Sequence, residues 1–295
     1  MKMLEKIMTS LSKPNVDIGS KEFDLIGNAF GFFAMHSGLG QSTLCLELAT
    51  LVASHNLNVC IVDCDPLSTF YLTKAINKVK NEDITDLPSI SRRLKKRSTP
   101  INETLTMVSD GVSVMSFGDT QYIDTFNLEG TILKDAMEEL KEVFDLVILD
   151  IPGYPWMEST INALQVCSTV YTLCQFSTDT VLKKIKYDNF FSIAGMDGIL
   201  NNLIIMRVPR GTTIAKTFEK RLDVKVLLEV PQVNGMSRAA LSNISVLDKL
   251  KGKDALNYAK CLDFFVGEIL EGISDKEVDY SEEEEKDKSE VKGGK

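Results

Sequence analysis

Short apolar strands alternate with amphipathic helices along most of this chain, and that alternation constrains its fold more than any single residue. Apolar runs near Ala29–Met35, Asn58–Val62, Val112–Phe117, Leu146–Leu149, Thr169–Gln175, Leu203–Val208 and Val226–Val230 read as strands. Between them, apolar residues recur at spacings of three and four over Thr43–Ser54, Thr131–Val143, Asp179–Phe191 and Asp254–Ile273, the period of a helix burying one face. Strands that are apolar throughout belong inside a sheet covered on both sides. The expectation is an α/β fold: a three-layer, doubly wound, mainly parallel sheet. The last helix, with Leu256, Ala259, Leu262, Phe265, Val266, Ile269 and Leu270, reads as core or dimer packing.

A hydrophobic content of 44% over 295 residues supplies a core for one large domain, placed at 29–274. Residues 1–28 form an N-terminal extension whose stripe of Met3, Leu4, Ile7, Met8 and Leu11 lies beside Lys2, Lys6 and Lys13. Packing against the domain is the simpler expectation for it, and contact with a membrane or partner the other. The net charge of −9 is uneven, with nine acids and five bases between Asp275 and Lys295. A tail so polar cannot bury enough apolar surface to offset its ordering entropy, so 275–295 is expected to be an acidic disordered segment. No apolar run reaches the ~20 residues of a transmembrane span, and a cytoplasmic location is expected. The six cysteines are scattered with no C-x-x-C pair, the pattern of reduced core thiols.

The candidate site begins after the first strand, at Ala34-Met35-His36-Ser37-Gly38-Leu39-Gly40-Gln41-Ser42-Thr43. A glycine-rich turn entering a helix aims main-chain N–H groups and the positive end of the helix dipole at an anion. A working phosphate loop reads G-x-x-x-x-G-K-[ST], its lysine reaching the terminal phosphates and its hydroxyl binding magnesium. Here Met35 holds the first glycine position, and Gln41 replaces the lysine. Gln41 can donate hydrogen bonds but carries no charge, so binding is more credible than turnover. Three acids stand at strand ends, where open α/β sheets bind ligands: Asp63 and Asp65 after the second strand, and Asp150 after Leu146–Leu149. Asp150 with Ser42 would hold Mg²⁺, and Asp65 would orient an attacking water.

The order G-L-G-x-S-T, I-V-D-C-D-P, F-D-L-V-I-L-D-I-P-G and V-L-L-E-V-P-Q-V-N-G-M-S-R-A-A resembles the ParA/MinD superfamily of deviant P-loop ATPases over Phe30 to Ile273. The resemblance implies a P-loop NTPase-like fold, ATP and Mg²⁺ as cofactors, and a homodimer closed around nucleotide. His36, Ser37, Gly38, Leu39, Gly40, Gln41, Ser42 and Thr43 would then form the phosphate cradle. That superfamily's two loop lysines align with His36 and Gln41, and an adenine-reading asparagine aligns with Met206, followed by Arg207. The loop ending G-x-G-x-S-T and the stretch Pro155-Trp156-Met157-Glu158 are most similar to the TadZ/CpaE-type pilus-assembly group. What that group implies is a localisation or assembly factor for a pilus secretion machine, partnered with its proteins, with slow or absent hydrolysis. A nucleotide-free pseudo-ATPase scaffold and a DNA-partitioning ATPase are the alternatives. The DNA reading would use Arg92, Arg93, Lys95, Lys96 and Arg97, extended by Lys183, Lys184 and Lys186 only if the fold brings them near.

Overall fold

The computed structural model describes residues 28–65, 88–117, 130–209, 214–222, 224–233, 253, 255–267 and 269–270. The N-terminal stripe, the Gly235-Met236-Ser237-Arg238 segment and the acidic tail lie outside them. Eight strands form one sheet: β1 (Ala29–Ala34), β2 (Val59–Asp63), β3 (Leu105–Ser109), β4 (Val112–Ser116), β5 (Leu146–Ile151), β6 (Thr169–Cys174), β7 (Asn202–Val208) and β8 (Lys225–Pro231). Their order is β3-β4-β2-β5-β1-β6-β7-β8, parallel throughout except for the β3–β4 pair. The expected doubly wound sheet is therefore present.

The sheet is apolar on both faces because alternate residues of its central strands point to opposite sides. Phe33 of β1 packs on one face with helices α3 (Gly130–Val143), α4 (Glu158–Gln165), α5 (Thr178–Ile193) and α6 (Ala215–Leu222). Phe32, its neighbour, packs on the other face with α1 (Gln41–Ala53) and a helix over 255–267. Tyr258, Leu262, Phe265 and Val266 of that last helix are buried, so its main role is core packing, while Leu256 faces out at 56% exposure. Phe32, Tyr171 and Phe265 lie with ring centroids 4.8–5.9 Å apart and lock that helix to β1 and β6.

Several boundaries shift, and two of the shifts bear on chemistry. Asp63 and Asp150 do not follow their strands; Asp63 ends β2 and Asp150 lies inside β5, paired in register with each other. The strand β3 was not expected. Its hairpin with β4 turns at Asp110-Gly111, where Gly111 has φ 72°, the two-residue connection that favours Asp-Gly. Five cysteines are buried and Cys261 is half-buried, with no disulfide among them.

The basic run is partly drawn into the fold, with Arg93 buried and Lys96 and Arg97 exposed. Arg93, in α2 (Ser91–Lys95), is buried and makes a bidentate pair with Glu139 at 2.7 and 2.6 Å, which holds the Glu139 carboxyl below its usual range. Arg92 donates to the Glu103 carbonyl and Arg97 to Thr131 Oγ1. Lys184 is buried as well, with Nζ 2.6 Å from both Asp188 carboxylate oxygens and 3.2 Å from Asn201 Oδ1. Burial of a charge is tolerable only with such pairing. Lys183 and Lys186 line the cavity described next, and Arg92, Arg93, Lys96 and Arg97 do not. The expected extension of the Arg92 patch by Lys184 is therefore overturned.

Candidate functional site

The order in which strands are added reverses at β1, which is flanked by β5 on one side and β6 on the other. A crevice opens there, outside the carboxyl ends of the strands. It is a cavity of about 1210 Å³ lined by every residue from Ala34 to Thr43, together with Asp63, Asp65 and Asp150. All the residues singled out for phosphate, metal and water-positioning roles thus meet in one place.

The loop takes the shape its glycines permit. Gly38 and Gly40 have φ of 74° and 92°, in the left-handed region that side chains resist. Gly40 is the N-cap of α1, and no acidic residue occupies that helix's first turn. The acid at this end of the helix comes from β5 instead, where Asp150 is hydrogen-bonded by Ser42 and Gln41 of that first turn. A third glycine matters for a different reason. A Cβ on Gly153 would lie 2.1 Å from the carbonyl oxygen of Ala34, so only glycine lets the segment after β5 pass the end of β1.

Gln41 does not stand in for a lysine. Its side chain is buried, and its amide nitrogen donates to the main-chain oxygens of Phe32 at 2.6 Å and Ile151 at 2.8 Å. The expected hydrogen bonds from Gln41 to a phosphate are replaced by a clamp between β1 and β5. The clamp ties Phe32, inside β1, to Ile151, the last residue of β5, at the first turn of α1.

Asp150 is buried, and loss of solvent pushes its carboxyl up to about 6, with Asp65 adding to the effect and hydrogen bonds from Ser42 and Gln41 opposing it. A carboxylate in this setting is best stabilised as an anion by a cation, and the Ser42 hydroxyl hydrogen-bonded to it sets a second oxygen beside the carboxylate. No group of three or more His, Cys, Asp or Glu forms a metal cluster among the described residues. Asp65 lies on the cavity wall, its N–H donating to Asp63 Oδ1 at 3.3 Å.

His36 is tied into a network that sets its tautomer. The Thr180 hydroxyl donates to the Gln175 carbonyl at 2.6 Å, so at 3.0 Å His36 Nε2 must be the donor to Thr180 Oγ1. Its Nδ1 then accepts from Lys183 Nζ, also at 3.0 Å. Burial and the Lys183 cation lower the imidazole below its ordinary value, with Asp179 pulling weakly the other way. His36 is therefore neutral at physiological pH, and the charge at this corner belongs to Lys183.

Three cationic side chains line the cavity among the described residues: Lys183, Lys186 and Arg207. The first two come from α5, whose start is fixed by Ser177 accepting from the Thr180 N–H. Arg207, after buried Met206 near the end of β7, holds a left-handed φ of 59° and donates to the Gly38 carbonyl. Tyr154 and Trp156 also line the cavity, their rings 5.8 Å apart, with Trp156 half exposed. Sequence reasoning gave Lys183 and Lys186 only a DNA-binding role. The i, i+3 spacing on a helix that follows a switch-point strand was the available signal.

An eight-stranded, mainly parallel sheet with a phosphate-type loop after β1 and acids at the ends of β2 and β5 defines a P-loop NTPase-like protein of the ParA/MinD fold. The family model AAA_31, described as an AAA domain, matches residues 30–205, more than half of the chain, and the chain belongs to that family. A ParA family ATPase from Chlorobium tepidum TLS shares the fold with a TM-score of 0.64 and 15% identity, over 81% of this chain and 98% of that one. A plasmid partition protein from Borrelia burgdorferi, solved with AMPPNP, gives a TM-score of 0.61 at 20% identity, over 82% and 99%. The septum site-determining protein MinD of Pyrococcus horikoshii, complexed with Mg-ADP, gives 0.61 at 15% over 81% and 95%. A curated relative, the tyrosine-protein kinase Ptk of Acinetobacter johnsonii, is 27% identical over 175 residues, 59% of this chain but 22% of that protein's length. No described helix is long and apolar enough to cross a membrane.

Proposed function

We propose that this chain is a ParA/MinD-type nucleotide-binding protein that holds Mg-ATP at the lysine-less loop and turns it over slowly or not at all. The carrying observation is the pairing of a loop shaped for phosphate with a buried Asp150 bonded to Ser42, while Gln41 is committed to Phe32 and Ile151. Ser42 and Asp150 would hold Mg²⁺, whose chemistry when bound is neutralisation of phosphate charge. Main-chain N–H groups from Ser37 to Thr43 would cradle the phosphates, and Asp65, on the cavity wall, would orient a water. Transition-state charge lacks the loop lysine that offsets it in working enzymes, which argues for binding over hydrolysis. Solved relatives with AMPPNP and Mg-ADP support the ligand class.

On this reading the protein works in the cytoplasm as a homodimer that presents a surface to others, in the manner of TadZ/CpaE-type factors assisting a pilus secretion machine. A nucleotide-free scaffold is the second reading, and the clamped Gln41 amide is the observation that favours it. A DNA-partitioning role is disfavoured, because Arg92, Arg93 and Arg97 are engaged within the chain. Isothermal titration of the purified protein with Mg-ATP tests the proposal. Saturable one-site binding is expected, weakened at least about tenfold by Gly40→Val, which forces a β-branched residue to φ 92° at the cradle. Absence of heat at millimolar Mg-ATP would favour the scaffold.

A further inference from the structure

From Ala34 to Thr43 the loop contains no lysine or arginine, yet a nucleoside triphosphate brings several negative charges to it. The cavity supplies cations from elsewhere in the fold. Lys183 Nζ stands 3.0 Å from His36 Nδ1, 3.4 Å from Asp179 Oδ2 and 3.5 Å from the Met35 carbonyl oxygen. These contacts bring an ammonium from α5 to the loop residue that aligns with the first family lysine. His36 is itself held by Thr180 and Gln175, so the acceptor that fixes Lys183 is rigid. Asp179, in contrast, is 64% exposed and only loosely engaged, leaving the Lys183 ammonium available for a stronger anion. Lys186, one turn further along the helix, and Arg207, bonded to the Gly38 carbonyl, complete a cationic rim on the same cavity.

We propose that Lys183, presented by His36 across the mouth of the loop, supplies the cationic contact to the polyphosphate of a nucleoside triphosphate that the loop itself lacks. The charge has moved from the loop to a neighbouring helix. An ammonium is a point charge whose position matters more than its covalent origin, so an element packed against the loop can deliver it. His36 is then a positioning residue: it touches the lysine and acts through it. The inference rests on the nucleotide-binding reading and adds to it the residue that makes binding possible.

The test is titration of full-length wild type, Lys183→Met, Lys183→Arg, His36→Ala and the His36→Ala/Lys183→Met double variant with Mg-ATP, each first checked by thermal melting. Lys183→Met keeps the aliphatic stem at a site one-third exposed, so the fold is expected to survive. The expected result is affinity lowered at least about tenfold in Lys183→Met and largely retained in Lys183→Arg. His36→Ala should weaken binding in wild type but not further in Lys183→Met, the non-additivity of a residue that acts through another. Tight wild-type binding with Lys183→Met unchanged would overturn the inference and leave the nucleotide reading standing. Additive losses from His36 and Lys183 would overturn the positioning role. No wild-type binding would overturn both.

Discussion

Gly153→Ala should leave little folded protein, and any that folds should melt roughly 10 °C below wild type. The added Cβ would sit 2.1 Å from the Ala34 carbonyl oxygen and 3.3 Å from its carbonyl carbon, both main-chain atoms that no rotamer change can move. Overpacking of this kind costs about 3 kcal/mol or more, and each kcal/mol lowers the melting temperature of a domain this size by roughly 2–4 °C. Gly267→Ala is the control. It lies in the C-terminal helix with open space around its would-be Cβ and no positive φ, so it should be stabilising by about 0.5–1 kcal/mol. Circular-dichroism melts of the two variants decide the matter, and a Gly153→Ala melting within 2 °C of wild type would contradict the close approach of the two strand ends. That approach sets the segment after Asp150 against the start of the glycine-rich loop.

The second large effect is a pH-dependent gain in stability from Asp150→Asn in the absence of nucleotide and metal. Folding raises the Asp150 carboxyl from 3.8 to about 6, chiefly by burial and secondarily through Asp65. The native state therefore holds this proton more tightly than the unfolded chain does. The resulting contribution to stability is fully present below about 3.8 and is lost as pH rises through about 6. Above that range the ionised carboxylate costs on the order of 3 kcal/mol, which the neutral amide does not incur. Melting temperatures of wild type and Asp150→Asn in EDTA should differ by roughly 2–4 °C at pH 4.5, where about 1 kcal/mol is already lost, and by about three times as much at pH 8, with the variant higher. A difference that stays flat with pH would show that Asp150 is not the strained group. The stability lost at neutral pH is what a bound cation would restore.

The layered architecture was legible because parallel strands buried on both faces must be apolar at nearly every position, as in Ala29-Phe30-Gly31-Phe32-Phe33-Ala34. The site was legible because strand-end acids and a glycine turn before a helix carry a local signature. The hairpin of β3 and β4 was missed although Asp110-Gly111 marks its turn; Met107 is 73% exposed, and an edge strand with one open face shows no continuous apolar run. The direction of Gln41 was also beyond the sequence. Whether its amide meets a ligand or the carbonyls of Phe32 and Ile151 depends on how β1 and β5 end side by side. Lys183 belongs to a further class. It lies 147 residues from His36 along the chain, and only the crossover from β6 into α5, with the helix turned to a particular phase, brings the two together.

The central claim is that the site binds ATP and hydrolyses it slowly or not at all, and a single-turnover experiment with γ-labelled Mg-ATP and excess protein tests it most directly. The account predicts that protein-bound label is recovered as intact ATP after an hour, with phosphate release no faster than in the Gly40→Val control. Steady release of labelled phosphate from wild type, abolished by Asp65→Ala, would contradict it and identify a working ATPase.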